Sequence, residues 1–365
     1  MTSWIEVDLN AIAHNLRVVK RGLDAEIKII GVVKANAYGH GLVETARAVW
    51  TAGADILATA DLDEAVALRV GKIRSPIIIL GYVDPNDFRR LLDFDLTTTI
   101  FDFETAVKLA REATKLNKWA RVDIKVDTGM NRYGFPAHEV LEQYRKILAL
   151  EHLKIEGLHS HFADASDKKF SAYQLLELQN LLFSFQQNHL TAPMVHLAAT
   201  EGMFRYPEAH FDAVRVGLAL YGYYGFETQE DELQPVLELK TRIAHLKTVG
   251  KGEAIGYKRT FVAGKAMKIA VIPFGYFDGY PRSYSNKGFV LIGGRRCRVV
   301  GRICMNAFMA DVSGVSCRVG DEVVLIGRQG HDKVYADELA RFDDSIPHEL
   351  LSRLSMSLPR EYRFK

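Results

Sequence analysis

Residues 26–41 have the sequence EIKIIGVVKANAYGHG, in which an apolar strand pattern leads directly into a lysine. The β-branched run at residues 27–33 is typical of a strand that is buried on both faces. Lys34 therefore lies where a core strand meets its loop. An amine held there is partly desolvated, which favours the neutral form that can condense with a carbonyl group. The alternative is a lysine that reaches from a strand end to water, and the spacing alone leaves both interpretations open.

The composition indicates an ordinary globular protein with two domains. A chain of 365 residues is too long for a single small core. Lysine and arginine number 47 against 45 acidic residues, and a net charge of +2 favours neither nucleic acid nor an anionic membrane as a partner. No apolar run is long enough for a transmembrane helix and the first residues lack a signal-peptide core, so we expect a cytoplasmic protein. Three cysteines without a Cys-x-x-Cys pair support neither a disulfide framework nor a thiolate zinc site.

Eight short apolar segments alternate with amphipathic segments between residues 26 and 222. The strands are predicted at residues 27–34, 55–60, 76–81, 96–100, 121–126, 155–161, 194–199 and 214–221. Helices are predicted between them, for example at residues 103–116 and 172–188. Eight such repeats in about 200 residues predict an α/β fold with a (β/α)8 TIM-type barrel. An open doubly wound sheet is the alternative, but no Gly-x-Gly-x-x-Gly follows the first strand.

The pattern changes after about residue 235 to strands without intervening helices. These strands are predicted at residues 237–248, 268–273, 289–293, 298–304, 307–312 and 322–326, with glycines between them. We therefore expect a barrel domain over residues 1–234 and a mainly β C-terminal domain over residues 235–365.

Residues 32–41, VVKANAYGHG, closely resemble the lysine motif that binds pyridoxal phosphate in alanine racemases, and the resemblance covers nearly the whole chain. It implies a barrel followed by a β domain, with residues 1–8 supplying a strand to the β domain. It also implies pyridoxal 5'-phosphate as the cofactor. Lys34 would bind this cofactor covalently, and Tyr38 would donate a hydrogen bond to its phosphate.

A charged loop at residues 125–134, KVDTGMNRYG, follows the fifth predicted strand. Active sites of such barrels lie at this end of the strands. The matching family arginine contacts the reactive tyrosine and the substrate, which implies this role for Arg132. Lys125 matches a lysine that many relatives carry carbamylated, where the added anion orients the arginine. The alternative is an ordinary surface loop of charged residues.

Two histidines occur two residues apart at the end of the sixth predicted strand, so their side chains point the same way. Together with His196, His159 and His161 could form a three-imidazole zinc site. Ordinary core histidines are a second alternative. The family resemblance implies instead that His161 packs against the pyridine ring of the cofactor, and we expect no metal.

Arg215 lies in an apolar stretch, AVRVGLALYG at residues 213–222, where a cation needs a partner. The resemblance implies that it faces the pyridine nitrogen of the cofactor. A guanidinium cannot accept a proton from the ring, so it weakens the electron sink and favours quick return of a proton to Cα. A carboxylate there would instead invite transamination or decarboxylation. The alternative is an arginine paired with a buried acid.

The loops after the seventh and eighth strands commonly bind phosphate in barrels, because their backbone N–H groups converge. Thr200, Gly217 and Leu218 occupy these positions and are expected to bind the cofactor phosphate together with Tyr38. Relatives often have Asn-Ser where this chain has Ala199-Thr200. The hydroxyl is retained.

The β domain is expected to complete the site from a second subunit. Residues 252–257, GEAIGY, resemble the family segment with the second catalytic group, which implies this role for Tyr257. In the family this tyrosine comes from the other subunit, so we expect a homodimer with shared active sites. Met305 matches a residue whose backbone meets the substrate carboxylate, and Tyr276 and Arg282 match the entrance corridor.

A racemase removes a proton from one face of Cα and returns one to the other, and therefore needs two acid/base groups. We expect Lys34 and Tyr257 to interconvert L- and D-alanine and so supply D-alanine for peptidoglycan. A serine or broad-specificity racemase is one alternative, because Asn306 replaces the usual aspartate and Met356 replaces a tyrosine of some relatives. The others are a non-enzymatic barrel that carries pyridoxal phosphate and a basic amino-acid decarboxylase, which would place an acid where Arg215 stands.

Overall fold

A computed structural model describes residues 2–228 and 232–364 of the chain. Within these residues no helix is both long and apolar enough to cross a membrane.

The first half of the chain forms a closed barrel of parallel strands. The strands of this half are β1 (Trp4–Asp8), β2 (Lys28–Val32), β3 (Ile56–Thr59), β4 (Ile77–Ile79), β5 (Thr97–Ile100), β6 (Ala120–Asp127), β7 (Phe135–Pro136), β8 (Leu153–His159), β9 (Met194–Ala199) and β10 (Ala213–Val216), and all of them except β1 and β7 form the ring of the barrel. Neighbours pair in the order β2-β3-β4-β5-β6-β8-β9-β10, and β10 pairs with β2 to close the ring. The predicted α/β class with a TIM-type barrel is confirmed.

Helices connect the barrel strands. They are α1 (Leu9–Arg21), α2 (Lys34–Tyr38), α3 (Leu42–Thr51), α4 (Leu62–Val70), α5 (Phe88–Asp93), α6 (Phe103–Leu116), α7 (Val140–Leu148), α8 (Lys168–Gln187) and α9 (Thr200–Arg205). α6 has the predicted bounds, since Asp102 caps its first turn and Asn117 ends it in the left-handed conformation. α8 begins four residues before the predicted start, because the carboxylate of Asp167 accepts hydrogen bonds from the next turn.

The second half is mainly β. It contains β11 (Leu237–Arg242), β12 (His245–Val249), β13 (Ala254–Ile255), β14 (Phe261–Val262), β15 (Met267–Ile272), β16 (Phe289–Ile292), β17 (Arg295–Val300), β18 (Phe308–Asp311), β19 (Glu322–Gln329), β20 (Asp332–Val334) and β21 (Arg360–Arg363), with short helices α10 (Ala336–Ala340) and α11 (Pro347–Ser352). The single strand predicted at residues 237–248 is wrong. It is two strands, because the chain changes partner between them: the N–H of Ile243 binds the carbonyl of Asp321, whereas that of Ala244 binds Val271.

Two connections join the halves. β1 pairs antiparallel with β11 and parallel with β21, so this first strand lies in the sheet of the β half. Glu6 of β1 is buried there in an ion pair with Lys240, 2.9 Å away. On the other side, α11 packs against α2, and a Cβ added to Gly39 would collide with the carbonyl of Leu351. The β half therefore rests on the turn that carries Lys34.

Candidate active site

Lys34 begins an unusual turn at the C-terminal end of β2. The four residues after it, Ala35 to Tyr38, all have positive φ, between 52° and 55°. Left-handed conformations are costly for residues with a Cβ, by about 1–2 kcal/mol each. Such strain persists only where the surroundings hold it, and it is concentrated at functional sites.

The carboxylate of Glu64, in the first turn of α4, holds this left-handed turn. Its Oε1 accepts a hydrogen bond from the N–H of Asn36 at 2.8 Å, and its Oε2 accepts one from the N–H of Ala60 at 3.2 Å. The side chain of Asn36 in turn accepts from the N–H of Leu42 at 2.9 Å. The turn is thus fixed to the neighbouring βα unit and to the start of α3.

The environment of Lys34 favours its neutral amine. Burial lowers the pKa of this group first, and the cations Arg132 and Arg215 lower it further. Glu64 acts in the opposite direction but does not outweigh them. A neutral amine is the form that attacks a carbonyl carbon.

Tyr38, Thr200 and Gly217 lie together at the ends of β2, β9 and β10. A Cβ on Gly217 would lie only 2.6 Å from the hydroxyl of Tyr38, so this close approach requires glycine. The hydroxyl of Thr200 accepts hydrogen bonds from the N–H groups of Gly217 and Ala219, at 3.3 and 3.4 Å. A short 3-10 turn begins at Leu218, and the N–H groups that open such a turn lack partners within it. The structure therefore brings all four expected phosphate ligands to one place.

Arg215 is buried among neutral acceptors. Its Nη1 donates to His196 Nδ1 at 2.6 Å, and its Nη2 donates to His161 Nδ1 at 2.9 Å. The carbonyls of Ser160, His196 and Leu197 accept from the same two nitrogens. Burial lowers the pKa of Arg215 to about 10, so the guanidinium remains protonated at neutral pH. The alternative of direct pairing with a buried acid is wrong for the described part of the chain, where Arg215 has no ion pair with a carboxylate.

The histidines do not form the three-imidazole site considered above. His161 binds Arg215, whereas His159 and His196 stack at 4.8 Å around the buried carboxylate of Asp123. Asp123, His159 and His196 are the one group of three potential metal ligands found within the described residues. Burial lowers the pKa of His159 to about 3, so its imidazole is neutral at physiological pH.

Lys125 is buried on β6, two residues from Asp123. Burial is the main cause that lowers the pKa of Lys125 well below the usual value for lysine, and the cations Arg215 and Arg132 lower it further. The loop after β6 is shaped by Asp127, whose carboxylate accepts from the N–H groups of Gly129 and Asn131. Arg132 follows on this loop and is exposed.

The residues expected from the β half are exposed instead of lying beside Lys34. The side chain of Tyr257 is 71% exposed, that of Met305 53% and that of Tyr276 43%. Among residues 2–228 and 232–364, no hydrogen bond or ion pair joins Tyr257 to Lys34. Backbone hydrogen bonds join the loops of Tyr276 and Met305. The N–H of Tyr276 donates to the carbonyl of Cys304, and the N–H of Phe277 donates to the carbonyl of Met305. Arg282 begins a 3-10 turn on the same segment.

Three further residues belong to the site and were not predicted. Glu64 holds the Lys34 turn, and Asp123 binds His196. His348 of α11 lies with its ring 5.6 Å from that of Tyr38, and burial together with Lys34 lowers its pKa to about 4. Of these three residues, only Asp123 could have been found from the sequence. It lies two residues before Lys125 on a strand, so the two side chains point to the same face.

Comparison with known proteins agrees with this arrangement. The family profile of the alanine racemase N-terminal domain matches residues 7–225, and that of the C-terminal domain matches residues 236–362. The chain belongs to the alanine racemase family. It is 40% identical to the alanine racemase of Halothermothrix orenii, over 100% of this chain and 97% of that protein.

Solved structures of alanine racemases superpose on the whole chain. That from Clostridium difficile 630 has a TM-score of 0.93 at 33% identity and covers 100% of this chain and 96% of its own. An alanine racemase from Bartonella henselae, solved with covalently bound pyridoxal phosphate, has a TM-score of 0.89 at 27% identity, with 100% of both chains covered. The family resemblance and the fold that it implied are therefore confirmed.

Proposed function

We propose that the chain interconverts L- and D-alanine with pyridoxal 5'-phosphate bound at Lys34. The observation that carries the proposal concerns two neighbouring groups. One is the partly buried amine of Lys34, whose pKa is lowered, and the other is the buried guanidinium of Arg215 on the barrel strand that pairs with β2. Full-length similarity to proteins named alanine racemase supports the reaction. The product would serve as the D-alanine source for peptidoglycan.

The residues present fit the cofactor. The amine of Lys34 would bond to the aldehyde carbon of pyridoxal phosphate. The hydrogen-bond donors around Tyr38, Gly217 and Leu218 would hold the phosphate of the cofactor. Gly217 leaves the space that a Cβ would fill beside the Tyr38 hydroxyl. Arg215 would face the ring nitrogen, and His161 would be held beside the ring by its bond to Arg215. When bound, pyridoxal phosphate draws electrons from Cα of an attached amino acid and so acidifies its proton.

The protein's own groups then move the proton. Lys34 Nζ would take or return the Cα proton on the D face, and the Tyr257 hydroxyl would do so on the L face, so one proton leaves and one arrives. Arg132 and the backbone of Met305 would position the substrate, with Tyr276 and Arg282 at the entrance. Arg215 stays protonated and cannot accept a proton from the ring, which limits side reactions.

Tyr257 would reach Lys34 from a second copy of the chain. Its exposure on the single chain, together with that of Met305, supports a homodimer whose two sites each use both subunits. Mixing the two inactive variants Lys34→Ala and Tyr257→Phe, after subunit exchange, should restore activity, because each mixed dimer then contains one intact site. The expected recovery is about a quarter of the wild-type activity if exchange is random. Failure of the mixture to regain activity, despite demonstrated exchange, would argue against shared sites.

Lys125 is proposed to carry a carbamate. Its neutral Nζ would form a bond to the carbon of CO2 and release one proton to solvent, and the new anion would pair with Arg132. The low pKa of the buried amine supports this step. Lys125→Ala should lose activity and regain part of it with added acetate, whereas the exposed Lys115→Ala should not change. Absence of both rescue and added mass on Lys125 would contradict the modification.

The proposed function is tested by absorbance and product together. The purified protein with pyridoxal phosphate should show a visible band that Lys34→Ala lacks, and L-alanine should yield D-alanine. If the protein binds the cofactor but turns over serine faster than alanine, the proposed substrate changes from alanine to serine. The departures at Asn306 and Met356, whose side chain is 78% exposed, make serine the second candidate. No band at any cofactor concentration would refute the proposal.

A further inference from the structure

Asp123 is a buried carboxylate that the proposed proton transfers do not use. It lies on β6 inside the barrel, with none of its surface exposed. Its Oδ2 is 2.9 Å from His196 Nε2, and its Oδ1 is 3.2 Å from His159 Nδ1. Buried carboxylates are costly unless paired, so its retention there needs a physical reason.

The hydrogen bonds around His196 have only one consistent direction. Arginine is always a donor, so His196 Nδ1 must accept the proton of Arg215 Nη1. A neutral imidazole carries its single proton on the other nitrogen, and His196 Nε2 therefore donates to Asp123. Asp123, His196 and Arg215 thus form a relay with a fixed tautomer in the middle.

The charges of the relay balance. Arg215 is a buried cation, and its five hydrogen-bond acceptors among the described residues are neutral carbonyls and imidazoles. Arg132 adds positive charge to the same region, whereas Asp123 favours the charged form of Arg215. One imidazole separates the carboxylate from the guanidinium, so Asp123 supplies the counter-charge without touching the face of Arg215 that serves the cofactor.

The barrel leaves space for this carboxylate. A Cβ on Gly157 of β8 would lie 2.7 Å from Asp123 Cγ and 2.9 Å from its Oδ2. The pairing of β6 with β8 also shifts register beside Asp123. The carboxylate is therefore seated by a glycine and a strand irregularity, both of which belong to the neighbouring strand pair.

A metal ion is a poorer occupant of the same cluster. The 2.9 Å contact between Asp123 and His196 is the length of a hydrogen bond, and the positive charge of the neighbouring Arg215 would repel a divalent ion. Structural zinc also takes four ligands, whereas three groups meet here.

We propose that Asp123 is a positioning residue, which acts through His196 to hold Arg215 charged and aimed at the cofactor ring. The inference rests on the proposed use of pyridoxal phosphate. Asp123→Asn removes the charge at nearly constant volume. This substitution should lower kcat on the order of tenfold while KM for alanine changes little, since losing a residue that only orients a cofactor-binding group commonly changes activity on this scale. The visible spectrum of the bound cofactor should shift in the same variant.

A thermodynamic cycle without the cofactor tests the relay directly. The stabilities of the apo forms of wild type, Asp123→Asn, Arg215→Gln and the double variant are compared in urea. If the relay holds, Asp123→Asn should destabilise the wild-type background strongly and the Arg215→Gln background much less. Equal effects in both backgrounds would show that Asp123 acts without Arg215 and would overturn the proposal.

The matched control is Asp212→Asn, which removes a carboxylate that binds the N–H of Val195, next to His196, from outside the relay. It should leave the kcat, the spectrum and the coupling unchanged. If Asp123→Asn fails to fold, Gly157→Ala crowds the same carboxylate without changing its charge and should reproduce the loss of kcat and the spectral shift. Wild-type kcat and spectrum in Gly157→Ala, or stoichiometric metal in the purified protein, would overturn the relay. A wild-type protein without a band or D-alanine would instead refute the proposed function itself.

Discussion

Gly217→Ala is expected to weaken the binding of pyridoxal phosphate by moving the Tyr38 hydroxyl. The new Cβ would lie 2.6 Å from that hydroxyl oxygen and 3.4 Å from the ring carbon that bears it. Ordinary contact begins near 3.4 Å, so the oxygen must retreat by about 0.8 Å. Tyr38 has little freedom to do so, because its ring stacks on Tyr221 at 4.6 Å and lies 5.6 Å from the ring of His348.

The size of the effect follows from the hydrogen bond that is lost. Hydrogen bonds to charged groups such as phosphate contribute about 1.5–3 kcal/mol. Displacing the Tyr38 hydroxyl should therefore raise the dissociation constant of the cofactor roughly ten- to a hundredfold. The backbone φ of Gly217 is negative, at −113°, so the substitution does not place alanine in the left-handed region.

The assay is a titration of the cofactor-free protein with pyridoxal phosphate, followed by the visible band. Gly264→Ala and Gly314→Ala are matched controls, since a Cβ at either position meets nothing within 4 Å. Both should bind like the wild type. An unchanged affinity in Gly217→Ala would show that Tyr38 does not contribute to the phosphate site, and the assignment of that site would have to be withdrawn.

Two further predictions concern the stability of the site. Glu64→Gln should place an amide donor against backbone N–H groups that now meet a carboxylate, and should lower the free energy of unfolding by about 1–3 kcal/mol. The exposed Glu142→Gln should change it little in the same urea titration, and equal losses would contradict the role given to Glu64. Burial lowers the pKa values of His40 and His348 to about 4. Below pH ~6.5 these histidines are therefore protonated in the unfolded chain but remain neutral in the folded protein. Each of the two histidines should lower the free energy of unfolding by about 1.4 kcal/mol per pH unit as the pH falls from ~6.5 toward ~4. This dependence of stability on pH should be weaker in His40→Asn but unchanged in the exposed His138→Gln.

Much of the fold was predictable because its signals are local. The helix Phe103–Leu116 and the strand Met194–Ala199 have the bounds that their apolar spacing predicts. The strand predicted at residues 27–34 exists as Lys28–Val32, and it ends two residues before Lys34 because the chain enters the left-handed turn there. The last barrel strand was predicted too long, through residue 221, because apolar residues continue into a 3-10 turn that periodicity alone does not separate from a strand.

The sequence by itself determined the class of fold and the place of Lys34 beyond the end of a core strand, since strand and helix periods and a contiguous motif are properties of neighbouring residues. Only the tertiary structure decided the partners. Asp123 meets His196 across 73 residues, and Arg215 meets His161 across 54, because closing the barrel brings distant strands side by side. The left-handed turn after Lys34 and the exposure of Tyr257 likewise depend on what packs around them. Burial, charge and close approach are set by long-range packing, and no local pattern contains them.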